Sequence, residues 1–291
     1  MTKEINKELI NKLYELLNPC QLCPRECKVN RLQGERGNCK AGLKPKVSSY
    51  HQHFGEEYCL VGKFGSGTIF FTHCNLHCVY CQNYDISQHG IGREISIERL
   101  AEMMMELQEL GCHNINLVTP TPWVPQIVEA LSVAQKHGLQ IPIVYNCGGY
   151  ESLKTLRLLE GIIDIYMPDI KYGNNENGKK YSDVPDYWDV VRAAIKEMQR
   201  QVGDLVIENG IAKKGLLIRH LVLPNDIAHS KRCLEFIYNE ISKKSFVNIM
   251  DQYYPTYRAN EYPELNRRIN PIEFLRVIKE SPFVNPFYDR A

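Results

Sequence analysis

From about residue 65 onward, short β-rich runs alternate with amphipathic helical stretches, and this alternation confines the chain to an α/β architecture. The runs are GTIFFT (67–72), INLVT (115–119), IPIVYN (141–146), IIDIYM (162–167), LLIRHLVLP (216–224) and FVNIMDQY (246–253). Between the first two, SIERLAEMMMELQEL (96–110) places apolar residues at 97, 100, 104 and 107, with Ser96 as a cap and Gly111 as a stop. Met103 to Met105 belong to that helix core. Thr121 and Pro122 open a helix to about His137, stopped by Gly138. Further helices are expected over 151–160, 186–201 and about 228–242, and Asn270 and Pro271 open a last one. The polar stretch 172–185 reads as a loop, and Asn209-Gly210 as a turn. Strands alternating with helices are parallel strands joined by crossovers. Six units fall short of the eight that close a barrel, so the expected fold is α/β, a partial, open (β/α)6 barrel. In such folds the chemistry sits at the carboxyl ends of the strands.

The chain has 291 residues, room for such a barrel plus a small module. The expected division is an amino-terminal helix and cysteine-rich module over 1–59, then the barrel with its carboxyl-terminal helix over 60–291. Ile5, Leu9, Leu13 and Leu16 mark one face of the first helix. The charged start MTKEINKELINKLYELL is unlike a signal peptide, and no apolar run approaches the roughly 20 residues of a membrane span. A net charge of +1 gives no reason to expect a nucleic acid or membrane partner. A cytoplasmic location is therefore expected. Eleven cysteines is many for a reducing compartment, and they cluster: four between residues 20 and 39, three between 74 and 81. Such clusters read as metal or iron–sulfur sites. Cys112, Cys147 and Cys233 read as small buried hydrophobes, and Cys59 could be a spare ligand.

HCNLHCVYCQN (73–83) carries Cys74, Cys78 and Cys81 at C-x3-C-x2-C, on the loop after the first run. Three thiolates bind three irons of a 4Fe–4S cube and leave the fourth open to a substrate. The alternative is a zinc or ordinary iron–sulfur site completed by a distant cysteine or by His73 or His77. The spacing, with Tyr80 before the last cysteine and a β-strand before the loop, resembles the radical S-adenosylmethionine (radical SAM) superfamily. Within it, MPDIKY (167–172) is similar to the D-x-K motif of the pyruvate formate-lyase activating enzyme and its relatives, and IRHLVLP (218–224) to their R-x-x-V-x-P stretch.

The resemblance implies that the open iron chelates S-adenosylmethionine (SAM) and that one electron cleaves it to methionine and a 5′-deoxyadenosyl radical. It implies a one-electron reductant such as flavodoxin or ferredoxin. Tyr80 would pack near the adenine. The family's Gly-Gly-Glu-Pro, which binds the SAM amino group, is here Thr119-Pro120-Thr121-Pro122. The acid is missing, so a hydroxyl of Thr119 or Thr121, or backbone carbonyls, would serve instead. Asn146 stands where the family has an Asn-Gly turn. Lys171 could pair with the SAM carboxylate, with Asp169 on the same strand face; the alternative is a surface ion pair. Arg219 is expected inside the barrel and His220 towards the helices.

Cys20, Cys23, Cys27 and Cys39 form a second group at C-x2-C-x3-C-x11-C, suited to one tetrahedral metal site or a second cluster. It could staple the fold, pass electrons or dock a partner. The preferred expectation is an oxidoreductase that activates a glycyl-radical enzyme by removing a glycine hydrogen atom. The alternatives are a radical SAM enzyme acting on a small molecule, peptide or nucleic acid, and a non-catalytic iron–sulfur or zinc protein.

Overall fold

The structure, a computed structural model, describes residues 5–283. Helix α1 (Lys7–Glu15) starts at Asn6, whose side chain accepts the Leu9 N–H at 2.9 Å, and buries Leu9 and Leu13. The four-cysteine segment follows, with one short turn of helix at Arg31–Gln33. Then come β1 (Lys46–His53), α2 (Tyr58–Val61), β2 (Ser66–Phe71), α3 (Tyr84–Ser87), β3 (Arg93–Glu94), α4 (Ile97–Glu109) and β4 (Ile115–Val118). Next are α5 (Val124–Lys136), β5 (Ile143–Cys147), α6 (Leu153–Leu158), β6 (Ile165–Pro168), α7 (Asn175–Ser182) and α8 (Tyr187–Val202). The chain continues through β7 (Val206–Glu208), β8 (Ile211–Leu221), α9 (Ser230–Phe236), β9 (Phe246–Met250) and α10 (Pro271–Glu280).

The strand order is β3-β1-β2-β4-β5-β6-β8-β7, with β9 also on β8. The run β2-β4-β5-β6-β8-β9 is parallel throughout. Among the described residues β9 does not pair with the β1–β2 side, so the barrel is partial and open, the expected α/β class. The Ser96 hydroxyl caps α4 by accepting the Arg99 N–H at 3.1 Å, and Gly111 ends it at φ 87°. Asn270 and Glu273 form a capping box on α10.

The strand residues divide by parity. Ile69, Leu117, Tyr145, Tyr166, Ile218 and Ile249 point into the main core under the helices. Val144, Ile165, Met167, Leu217 and Phe246 point into the lumen, where Cys59 and Leu60 of α2 plug its amino end. Cys59 is therefore packing in a separate apolar cluster and not a spare ligand.

Beyond the one-turn helices α2 and α3, three strands and one helix differ from the sequence expectation. β1 runs antiparallel along β2, and β3 pairs with β1. KVSSYHQH offers only Val47 and Tyr50 as apolar residues, too few for a period-two signal. β7 forms a hairpin with β8 through Asn209 and Gly210, both left-handed at φ 53° and 81°. The stretch 172–185 is not simply a loop: it holds α7, capped by Asn174 and ended by Asp183 at φ 57°. NENGKKYS turns inward only Gly178, Tyr181 and Ser182, so hydrophobic periodicity has nothing to register. A division at residue 59, whose outer bounds at 1 and 291 lie outside the described residues, remains a proposal. The sheet crosses that division through the β1–β2 pairing.

Candidate active site

Backbone hydrogen bonds carry the parallel ladder past the strands and draw their carboxyl ends together. Thr119 N–H donates to the Asn146 carbonyl at 2.9 Å, Asp169 N–H to Cys147 at 2.9 Å, and Ile170 N–H to Arg219 at 2.9 Å. Thr119 itself is left-handed, at φ 59°. Behind β5, Gly148 and Gly149 leave space for close approach. A Cβ on Gly149 would stand 2.5 Å from the Asp169 carbonyl oxygen, and one on Gly148 would stand 2.7 Å from Leu76 Cδ1.

The three-cysteine loop leaves β2 through His73, at φ 67°. It is pinned to the end of α7, which the sequence did not reveal. His77 N–H donates to the Ser182 carbonyl at 3.1 Å and Val79 N–H to Tyr181 at 2.9 Å. Asn75 Nδ2 donates to the Tyr150 carbonyl at 2.6 Å. Each sulfur has a polar neighbour: Leu76 N–H at 3.4 Å from Cys74 Sγ, the Ser182 hydroxyl at 3.0 Å from Cys78 Sγ, and the Ser87 hydroxyl at 3.2 Å from Cys81 Sγ. Burial pushes the Cys74 thiol up, and the neighbouring Cys78 and Cys81 push it further. Burial likewise raises Cys78, with Lys171 acting against it. Tyr80 is buried edge-on to Tyr253 at 5.7 Å and Tyr172 at 6.4 Å. His77 spends both ring nitrogens, on Gln88 at 2.7 Å and Asn38 at 2.6 Å, and is not a ligand here. His73 lies against Trp123, with its Nδ1 buried and unbonded among the described residues.

Asp169 stands between two cations, with Lys171 Nζ at 2.8 Å and Arg219 Nε at 2.8 Å. Arg219 also donates to Asn146 Oδ1 at 2.7 Å and reaches Glu56 at 3.5 Å. Burial alone would raise the Asp169 carboxyl, yet Arg219 and Lys171 hold it below its ordinary value. Burial raises Glu56 in spite of Arg219. His220, the next residue along β8 and so on its opposite face, is fully buried between the Ile170 carbonyl and the Ser230 hydroxyl, both at 2.8 Å. Asn146, Asp169, Lys171 and Arg219 thus form one chain of contacts beside the cysteine loop. Thr121 lies apart from it: its hydroxyl donates to Glu151 at 2.7 Å, and Tyr145 donates to the other oxygen at 3.0 Å. Burial pushes Glu151 up to about 7.

The pattern of the Radical SAM superfamily matches residues 68–225, more than half the chain. The chain belongs to the radical SAM superfamily. Two uncharacterized proteins of Methanocaldococcus jannaschii are similar along most of the chain. One is 36% identical over 271 residues, 89% of this chain and 73% of the relative. The other is 22% identical over 280 residues, 89% and 76%. Among solved structures, HydG, a maturase of the FeFe-hydrogenase, matches with a TM-score of 0.50 at 13% identity, over 75% of this chain and 50% of that one. Streptococcus suis SuiB bound to precursor peptide SuiA matches with a TM-score of 0.48 at 10% identity, over 76% and 47%. The chain spans about half the length of these structures, and the likeness to HydG concerns the fold alone.

Radical SAM membership implies a 4Fe–4S cluster and SAM. The donor set of the loop fits such a cluster: three sulfurs on one short loop, hydrogen-bond donors on each, and the Lys171 ammonium facing them. Among the described residues no three His, Cys, Asp or Glu side chains close to the spacing of a single ion. A cube spreads its thiolates over separate irons. Cys20, Cys23, Cys27 and Cys39 line one narrow cavity with Arg25 and Arg31, against Asn75 and Thr121. A Cβ on Gly37 would stand 2.9 Å from Cys27 Sγ, so glycine permits that approach. Arg25 ties this segment to the loop by donating to the Asn75 carbonyl at 2.5 Å. No helix among the described residues is long and apolar enough to cross a membrane. Sequence reasoning missed Glu56, Glu151 and Ser182. The partners that tie them to the predicted site residues, Arg219, Thr121 and Cys78, are 30 to more than 100 positions away, so no local pattern marks them.

Proposed function

We propose that this chain cleaves SAM reductively and directs the resulting radical at a glycine of a partner protein, as an activase of a glycyl-radical enzyme. Cys74, Cys78 and Cys81 would hold the 4Fe–4S cluster, which when bound would supply the one electron that cleaves SAM. Lys171 pairs with the SAM carboxylate, oriented by Asp169, which Arg219 fixes while itself held by Asn146. The Thr119 and Thr121 segment receives the amino group. Glu151, bonded to the Thr121 hydroxyl, supplies the acid absent from the β4 end. Tyr80 walls the adenine. Cys20, Cys23, Cys27 and Cys39 would hold a second iron–sulfur cluster, which spreads its thiolates over separate irons, rather than a single zinc ion, for which the four sulfurs are not gathered closely enough.

The observation that carries the activase reading is the 2.8 Å contact between Asp169 of MPDIKY and Arg219 of IRHLVLP. The two segments that resemble the activating enzyme meet in one contact beside the cysteine loop. The test is anaerobic incubation of the reconstituted protein, SAM and a candidate glycyl-radical partner. A glycyl radical signal in electron paramagnetic resonance that needs both components supports the reading; SAM cleavage without any such signal across the candidates rejects it.

A small polar molecule or peptide as substrate is the second reading. Asn116, on the lumen side of β4, buries both amide atoms without a partner among the described residues. A substrate amide or carboxylate would satisfy them.

A further inference from the structure

A polar cleft of about 470 Å³ opens on the outer side of the three-cysteine loop. The cysteine-rich segment, the loop, α7 and the stretch after β9 each form part of its wall. Lys40, Lys179, Lys180 and Arg258 line it, against Asp183. Lys180 is paired with Glu264 at 2.6 Å, Arg258 with Glu261 at 2.7 Å, and Asp183 faces Arg25 at 3.5 Å. Lys40 and Lys179 are exposed and have no acidic partner among the described residues. The surplus extends beyond the cleft: residues 20–46 hold seven Lys and Arg against two Glu, in a chain whose net charge is +1. Two cleft residues touch the cysteine groups directly. Cys39 is one of the four amino-terminal thiols, and the Ser87 hydroxyl lies 3.2 Å from Cys81 Sγ.

We infer that this cleft is the docking surface for an acidic protein that carries one electron. The inference deepens the proposed function and rests on its claim that the three-cysteine loop holds a reducible cluster. Positive charge concentrated at one opening steers an acidic partner to that opening. Electron transfer needs close approach of the two centres, and this opening lies one side chain from Cys81. In the step itself the reduced carrier loses one electron, the cluster gains it, and no bond or proton moves. A nucleic acid would be drawn by the same charge, but nothing about it requires a site walled by cysteine and by the partner of a cysteine.

The test uses the anaerobically reconstituted full chain and a fluorescently labelled acidic flavodoxin as the probe. The double variant Lys40→Glu and Lys179→Glu should weaken flavodoxin binding by about tenfold at low salt. Flavodoxin-driven formation of 5′-deoxyadenosine should slow by a similar factor, with dithionite-driven formation unchanged. The Lys40→Gln and Lys179→Gln pair should give a smaller loss of binding, and it replaces the first pair if that one does not fold. Unchanged binding in both pairs overturns the inference. So does equal loss of flavodoxin-driven and dithionite-driven product. Tighter binding of an RNA oligonucleotide than of flavodoxin, abolished by the same variants, assigns the cleft to nucleic acid instead. A wild-type chain that binds flavodoxin yet yields no product with dithionite counts against the proposed function and leaves the docking surface standing.

Discussion

At the scale of single residues, the site is dominated by charges taken out of water and compensated in pairs. Asp169 is the keystone, because Lys171 and Arg219 both lean on it and all three side chains are less than a fifth exposed. Asp169→Ala leaves Lys171 without its ion-pair partner and Arg219 with only the longer 3.5 Å ionic contact to Glu56, and should cost about 3–5 kcal/mol, read from urea unfolding of the metal-free protein. A loss below about 1 kcal/mol would mean that the pairing is peripheral. Glu151 gives a pH signature. Its carboxyl sits at about 7, above the ordinary 4.5. The folded state therefore holds a proton that the unfolded state has released, and stability falls as pH rises from about 4.5 to about 7. Glu151→Gln should flatten that fall by up to about 1.4 kcal/mol per pH unit, measured against wild type across the window. Asp169, Lys171 and Arg219 were legible in the sequence because they sit in short motifs. Glu151 and Glu56 were not, because their roles come from burial and from partners distant along the chain.

At the scale of elements, the helix that periodicity could not register seats the cysteine loop. α7 presents Tyr181 and Ser182 to the loop backbone and the Ser182 hydroxyl to Cys78. Its approach to α8 depends on Gly178, where a Cβ would fall 2.4 Å from the Tyr187 Cβ. Gly178→Ala should destabilise by about 1–3 kcal/mol through overpacking, and the displaced Ser182 should lower iron retention at the loop. Denaturation together with iron analysis reads both effects. The six parallel strands were legible because fully buried strands read as apolar runs between turn residues. β1 escaped notice because its sequence is mostly polar, and β7 because a three-residue strand is too short to carry a period. α4 and α10 announced themselves through their caps.

At the scale of the whole molecule, an open barrel carries its chemistry at one end and is closed at the other by Cys59 and Leu60. The cysteine-rich segment reaches that chemical end through Arg25, which bonds the loop at Asn75, and through Arg31, buried over Trp123 with its guanidinium on the Pro122 carbonyl at 2.9 Å. Arg25→Ala should loosen the segment, seen as faster proteolysis between residues 20 and 45 with the barrel intact. The open (β/α)6 architecture followed from alternation alone. That the four-cysteine segment lies against the loop did not, because it depends on two long arginine side chains. The most direct measurement is anaerobic: reconstitute the protein with iron and sulfide, add dithionite and SAM, and quantify 5′-deoxyadenosine in wild type and in Cys78→Ala. Product from wild type and none from the variant is the expected result. Product from both, or none from a wild-type protein carrying iron and sulfide at the loop with a substrate candidate present, would contradict the assignment of a SAM-cleaving cluster to Cys74, Cys78 and Cys81.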